Sequence, residues 1–343
     1  MTETLATPSD YKPLYALFGE IDRLAPWNWM EEIDLFGVQD PDTQEIGFVS
    51  VMGMAGERFA IGVYRGAEGL YGFHALQDQG PYLNPELLLN TPQLQASFED
   101  REMLEKADRD VIKALGLKYR GRNAWPQFRS FRRGYAPWYL TSDEARFLTH
   151  VLGQVLEVAP RLRETPELLD VGRARDYLVR VAEPTESGLQ WRDAVMEIDP
   201  PTPMELTIKL EPGLYDAVTK LPKKRLKVEL DVFMSLMAVG ERHERPSYPY
   251  MLLMVEAESG YPIGVELLTP TGSVEQLWNE SVNVIFQQFM KLGALPSEIH
   301  VNNDLLFGIF QAFGKQSKVK VKQVDWLPAL EQARAGIESL MGI

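Results

Sequence analysis

Between Lys118 and Tyr139 the chain reads KYRGRNAWPQFRSFRRGYAPWY, in which Lys118, Arg120, Arg122, Arg129, Arg132 and Arg133 alternate with Tyr119, Trp125, Phe128, Phe131, Tyr135, Trp138 and Tyr139. Guanidinium groups bind phosphate and aromatic rings stack on bases, so this mixture suits a groove for single-stranded nucleic acid. Arg120, Arg122, Trp125, Arg129, Arg132, Arg133 and Trp138 are the candidate ligand contacts of this half of the chain. A plainer reading pairs the arginines with the acidic residues that precede them and packs the rings together. The charge pattern is open to both: residues 111–142 carry 7 basic and no acidic side chains, whereas residues 1–110 carry 7 basic and 20 acidic.

Several chemistries are absent. The 343 residues include no cysteine, which removes thiol catalysis, disulfide frameworks and cysteine-ligated zinc together. The four histidines, His74, His150, His243 and His300, are too far apart in sequence to make a metal-site spacing. No Gly-x-Ser-x-Gly elbow and no dinucleotide fingerprint occurs, and GIFQAFGKQS at 308–317 has the wrong glycine spacing for a phosphate loop. A formal charge of -14 argues against a generally basic coat for nucleic acid or anionic membrane, though not against one local basic face. The opening MTETLATPSDYKP lacks a basic stretch followed by an apolar core, and no apolar run is long enough to span a bilayer. The expectation is a cytoplasmic protein without a membrane partner.

Elements able to position these residues follow from periodicity. Leu14, Leu17, Phe18, Ile21 and Leu24 have helical spacing, and Pro26 ends that helix. Residues 33–38, 45–52 and 58–64, separated by turn-rich segments, predict an antiparallel meander. Helices are expected over 67–79, 101–115 and 141–163, the last opening with a capping box of Thr141 and Glu144. These make an α+β domain over residues 1–200, and the proline-rich stretch 183–204 marks a boundary before a second domain, 205–343. There the spacing predicts strands over 225–239, 251–255 and 262–268. A helix capped by Ser273 and Gln276 follows, then a strand at 298–301, a helix ended by Gly314, a strand at 318–324 and a final helix from Pro328.

The order β-β-β-α-β-α-β-α resembles ribonuclease H-like α/β domains, the fold of retroviral integrases and many transposases. LKVELDVF resembles their first strand, YMLLMVEAESGYPIGVELL the second and third strands with their hairpin, and SEIHVNNDLLF the strand and turn bearing a second acid. The resemblance spans about 120 residues from Leu226 onward and implies carboxylates that hold two magnesium ions. The first position falls on Asp231 and the second on Asn302, a neutral amide, with Asp304 two residues on; the third falls on Glu331 or Glu338 in the last helix. The asparagine departs from the pattern, because magnesium sites are built from hard, anionic oxygens. The whole chain also resembles an uncharacterised bacterial two-domain family through APWNWM, DLFGVQDPDTQEIG and LPALEQAR. The functional expectation is a non-catalytic binding protein for nucleic acid or protein, with a degenerate ribonuclease H-like domain and no cofactor. The alternative is a magnesium-dependent nuclease using Asp231, Asp304 and Glu331 or Glu338.

Overall fold

The computed structural model describes residues 4–56, 58–80, 84–186, 188–202, 207–241, 243–269 and 274–341, with the side chains at 274, 275, 338, 340 and 341 outside that description. The chain divides into two compact units, Met1–Thr202 and Pro203–Ile343. Each is an α/β unit with its own mixed sheet.

The first unit runs α1 (Pro8–Leu24), β1 (Phe36–Gln39), β2 (Ile46–Met52), β3 (Ala60–Arg65), α2 (Gly66–Asp78), α3 (Pro85–Asn90), β4 (Gln93–Glu99), α4 (Lys106–Ala114), β5 (Trp125–Phe131), α5 (Ser142–Glu164), β6 (Asp176–Thr185) and β7 (Gly188–Glu197). Its seven strands lie in the order β5-β4-β3-β2-β1-β6-β7. Every neighbouring pair is antiparallel except β1 and β6. The 23-residue α5 carries the chain from the β5 edge back to the free side of β1. That parallel joint makes the unit α/β, where the sequence suggested α+β. Alternation sorts the side chains: Val49, Val51, Ile61 and Val63 enter a core shared with α1 and α5, while Phe48 and Tyr64 pack with Leu70 and Phe73 of α2 on the other face. Thr141 caps α5 as expected, its Oγ1 accepting from the Glu144 N–H at 3.2 Å while Glu144 Oε2 accepts from the Thr141 N–H at 2.9 Å.

Much of the proline-rich stretch is strand: Glu183–Thr185 and Gly188–Glu197 belong to the β6–β7 hairpin, with Pro184 and Gly188 close to its tip, where a missing donor or side chain costs little. The helix expected over 101–115 is a 3₁₀ turn at Arg101–Met103 followed by α4. The cation and ring segment contains β5, an edge strand of the sheet.

The second unit runs α6 (Leu214–Thr219), β8 (Lys223–Met234), β9 (Tyr250–Glu256), β10 (Pro262–Leu268), α7 (Val274–Leu292), β11 (Leu295–Val301), α8 (Asp304–Ser317), β12 (Lys320–Gln323) and α9 (Pro328–Met341). The strand order is β10-β9-β8-β11-β12, antiparallel across β10, β9 and β8 and parallel across β8, β11 and β12. Phe233, Met251, Leu253 and Val255 are buried under Leu330 and its neighbours on α9. On the opposite face, Phe286 and Phe289 of α7 pack with Phe310 and Phe313 of α8. The Ser273 cap expected for α7 lies outside the described residues. Gly314 does not end α8, which continues to Ser317. A Cβ at Gly314 would lie 2.7 Å from the Val319 carbonyl oxygen and 2.8 Å from Val321, so this glycine lets the helix approach β12 closely.

Candidate functional site

Asp231 stands on the α9 face of β8, in one alternating row with Lys227, Glu229 and Phe233. It is buried, at 8% exposure. Burial pushes its carboxyl up to about 6 and Glu331 on α9 pushes the same way, against the Val232 N–H, the positive charge of Arg334 and a hydrogen bond with Asn302. The Val232 N–H donates to Asp231 Oδ1 at 2.8 Å. Arg334 itself lies over the Phe233 ring, 4.2 Å from its centroid. Two residues before Asp231, the buried Glu229 accepts the Leu330 N–H at 2.8 Å, which ties the first turn of α9 to the sheet.

Asp231 is thus hydrogen-bonded to Asn302 and feels the charges of Glu331 and Arg334 on α9. Asp304 stays apart: β11 ends at Val301, and Asp304 opens α8 as an exposed residue hydrogen-bonded by Gln323. Asn303 caps that helix, its Oδ1 accepting from the Leu305 and Leu306 N–H groups at 2.9 and 3.2 Å. The Glu338 side chain lies outside the described residues. Among the described residues no three His, Asp or Glu side chains are grouped so as to hold a metal ion.

Beside Asp231 the same face continues as a charged stripe over β11 and β12. Glu298 Oε1 meets His300 Nε2 and Lys322 Nζ, each at 2.5 Å, and Lys320 Nζ lies 3.9 Å from the other oxygen. Partial burial opposes ionisation of Glu298, but the His300 and Lys322 contacts outweigh it and hold the carboxyl at about 2. In register, Glu298 faces Lys227 on one side and Lys320 on the other, and His300 faces Glu229 and Lys322. Arg225, Lys227 and Lys320 are exposed, and Lys322 is half-buried.

In the first unit the cation and ring segment is divided between interior and surface. Arg129 is buried and bidentate to buried Asp108, at 2.8 and 2.6 Å, with the Tyr139 ring 4.9 Å beneath its guanidinium. Arg132 donates to Glu144 at 2.8 Å, and Ser130 donates to the same oxygen. Arg122 is exposed, 3.7 Å from Asp100, and Trp125 is flanked by Tyr119 and Arg101. Trp138 packs edge-on to Tyr139. Arg120 and Arg133 are exposed. The plainer reading thus describes Arg129 and Arg132, whose charges are spent inside the fold. Arg65, Arg132 and Glu144 also line a cleft of about 550 Å³ at the start of α5, which Asp40 and Asp143 make mixed in charge.

Residues 11–180 match the model of a domain of unknown function, DUF7309, and residues 215–338 match that of another, DUF6930. The chain carries these two domains of unknown function. A comparison with curated proteins gives no match. In the described residues of neither domain is a helix long and apolar enough to cross a membrane.

Two groups in the DUF6930 domain were not singled out from the sequence, the Glu298, His300 and Lys322 cluster and the Glu229 anchor. The signal exists, since Lys320 and Lys322 alternate with Val319 and Val321, and Ile299 separates Glu298 from His300. Reading it requires the β11–β12 register, which no local pattern supplies.

Proposed function

We propose that the protein is a non-catalytic binding protein whose DUF6930 domain is a degenerate ribonuclease H-like domain, and that its ligand is a nucleic-acid backbone laid along the charged stripe beside Asp231. The fold part of this reading is supported by the strand order, in which three antiparallel strands are followed by two parallel ones on the far side of the first. Absence of catalysis is supported by one observation above the others: Arg334 supplies a fixed positive charge beside Asp231, with the neutral Asn302 hydrogen-bonded to that carboxylate. A pair of magnesium ions needs several anionic oxygens converging from different elements. A guanidinium among them offers the opposite, and the residues present do not fit that pair of ions. The ligand class is supported by Lys227, Lys320 and Lys322, which project from one sheet face of a chain whose net charge is -14.

Fluorescence anisotropy with labelled single-stranded, duplex and hybrid oligonucleotides, together with cleavage assays in magnesium and manganese, tests both parts. The expected result is salt-sensitive binding without cleavage. Lys320→Glu with Lys322→Glu should weaken binding and flatten the plot of log affinity against log salt by about 0.7 for each phosphate of a single strand that is no longer neutralised. Metal-dependent cleavage that disappears in Asp231→Ala would establish the nuclease alternative instead.

A further inference from the structure

The two sheets have four edges, β5, β7, β10 and β12. An edge strand exposes a row of unpaired N–H and C=O groups, and proteins blunt such rows with charge, proline, short length or a covering segment. Three of these edges are blunted. β5 contains Pro126 and Arg129, and the chain doubles back on it through a Ser130–Trp138 bridge. β7 carries Arg192, Asp193 and Glu197. β12 is four residues long and includes Lys320 and Lys322.

β10 differs. It reads PIGVELL, with Pro262 at its first position and a register shift between Pro262 and Gly264, so both protective features lie at one end. Its one charge, Glu266, is turned toward α7, where Gln288 Nε2 donates at 2.7 Å and Lys291 Nζ lies at 3.3 Å. On the other face Val265 pairs with Leu253 and Leu267 with Met251. Leu253 and Met251 are buried under α9, while Val265 and Leu267 are 46% and 55% exposed. Among the described residues the apolar layer beneath α9 thus runs on to the sheet edge uncovered, and Tyr261 just before the strand is exposed with it.

We propose that β10 pairs antiparallel with β10 of a second copy of this chain about a two-fold axis, joining two five-stranded sheets into one. The sequence of the strand is self-complementary in this pairing. With the axis at Val265, Val265 faces its own copy and Ile263 faces the second copy's Leu267, so the apolar stripe completes itself. Glu266 then faces the second copy's Gly264. Moving the axis one residue on, to Glu266, would set two Glu266 carboxylates directly opposite each other, which like-charge repulsion disfavours, and moving it one residue back, to Gly264, would set Glu266 against the second copy's Pro262. Because the pairing uses the same patch on both copies, it closes at a dimer and consumes the bare edge. The inference is independent of any ligand on the charged stripe.

Sedimentation equilibrium on the full chain should give a concentration-dependent species of twice the 39.0 kDa chain mass. Val265→Lys and Leu267→Lys each place a charge in the pairing stripe and should raise the dimer dissociation constant by at least about tenfold, with an unchanged circular dichroism spectrum. Since the chain has no cysteine, Val265→Cys introduces a single thiol that the two-fold axis sets against its copy within disulfide reach. Mild oxidation should convert it to a covalent dimer. Val195→Cys on the exposed, charged β7 should not cross-link. A chain that stays monomeric at high concentration, assembles beyond a dimer, or dimerises equally well in both lysine variants would overturn the proposal. Should the lysine variants misfold, failure of Val265→Cys to cross-link faster than Val195→Cys would overturn it.

Discussion

Asp231 and Arg129 are two buried charges that the molecule handles in opposite ways. Asp231 is desolvated with only partial compensation, so its folded carboxyl sits at about 6 against an ordinary 3.8. A group whose folded value is raised favours the folded state fully below the unfolded value, and that contribution is lost as pH rises through the folded value. Between about pH 4 and pH 6 the protein should therefore lose about 3 kcal/mol of stability through this residue, two units at about 1.4 kcal/mol each. Asp231→Asn should remove that slope and be the more stable form above pH 6, as read by urea unfolding across the pH range. Arg129 has full compensation from Asp108. Removing it strands a buried carboxylate, so Arg129→Met should cost about 3 to 5 kcal/mol, and the double change with Asp108→Leu should recover much of the loss. A nucleic-acid contact at Arg129 would instead leave stability unchanged and weaken binding. The sequence held the residues of both pairs but not the pairings, because the partners are brought together by sheet register and helix docking.

At the scale of elements, the periodic segments were legible and the joints between them were not. Met251–Val255 is apolar at every position and lies in the sheet interior; Thr141 with Glu144 announces α5 at its first turn. β4, β5, β6 and β7 were not expected from the sequence, although QLQASFE alternates polar and apolar residues as a half-buried strand does. Gly314 shows the limit of punctuation as a signal. In sequence it reads as a helix stop; in the fold it is a contact surface, with Val319 and Val321 where a side chain would be. Gly314→Ala should therefore destabilise by about 1 to 3 kcal/mol through overpacking, although alanine is the better helix former. At Gly308, in the same helix with open space around it, the alanine change should be neutral or stabilising. Comparing the two variants by chemical denaturation separates packing from helix propensity.

For the whole molecule, the opening charge imbalance resolves into separate local uses. The basic segment 111–142 of the DUF7309 domain meets acids within its own unit, Asp100, Asp108 and Glu144, while the cations of β8 and β12 gather on one face of the DUF6930 domain. Among the described residues each unit has a core cluster of its own: the large one of the first unit extends from Tyr11 to Leu162, and the one beneath α9 begins at Phe233. Each unit buries its own sheet and is long enough to sustain a core, so the two should unfold as separate cooperative steps. Differential scanning calorimetry of the full chain should resolve two transitions. Arg129→Met should lower one of them and Gly314→Ala the other, each by several degrees at the destabilisation expected for it, with the remaining transition unmoved. A single transition shifted as a whole by either substitution would mean that the two sheets are energetically one body, and the division drawn at Thr202 would then describe chain geometry alone.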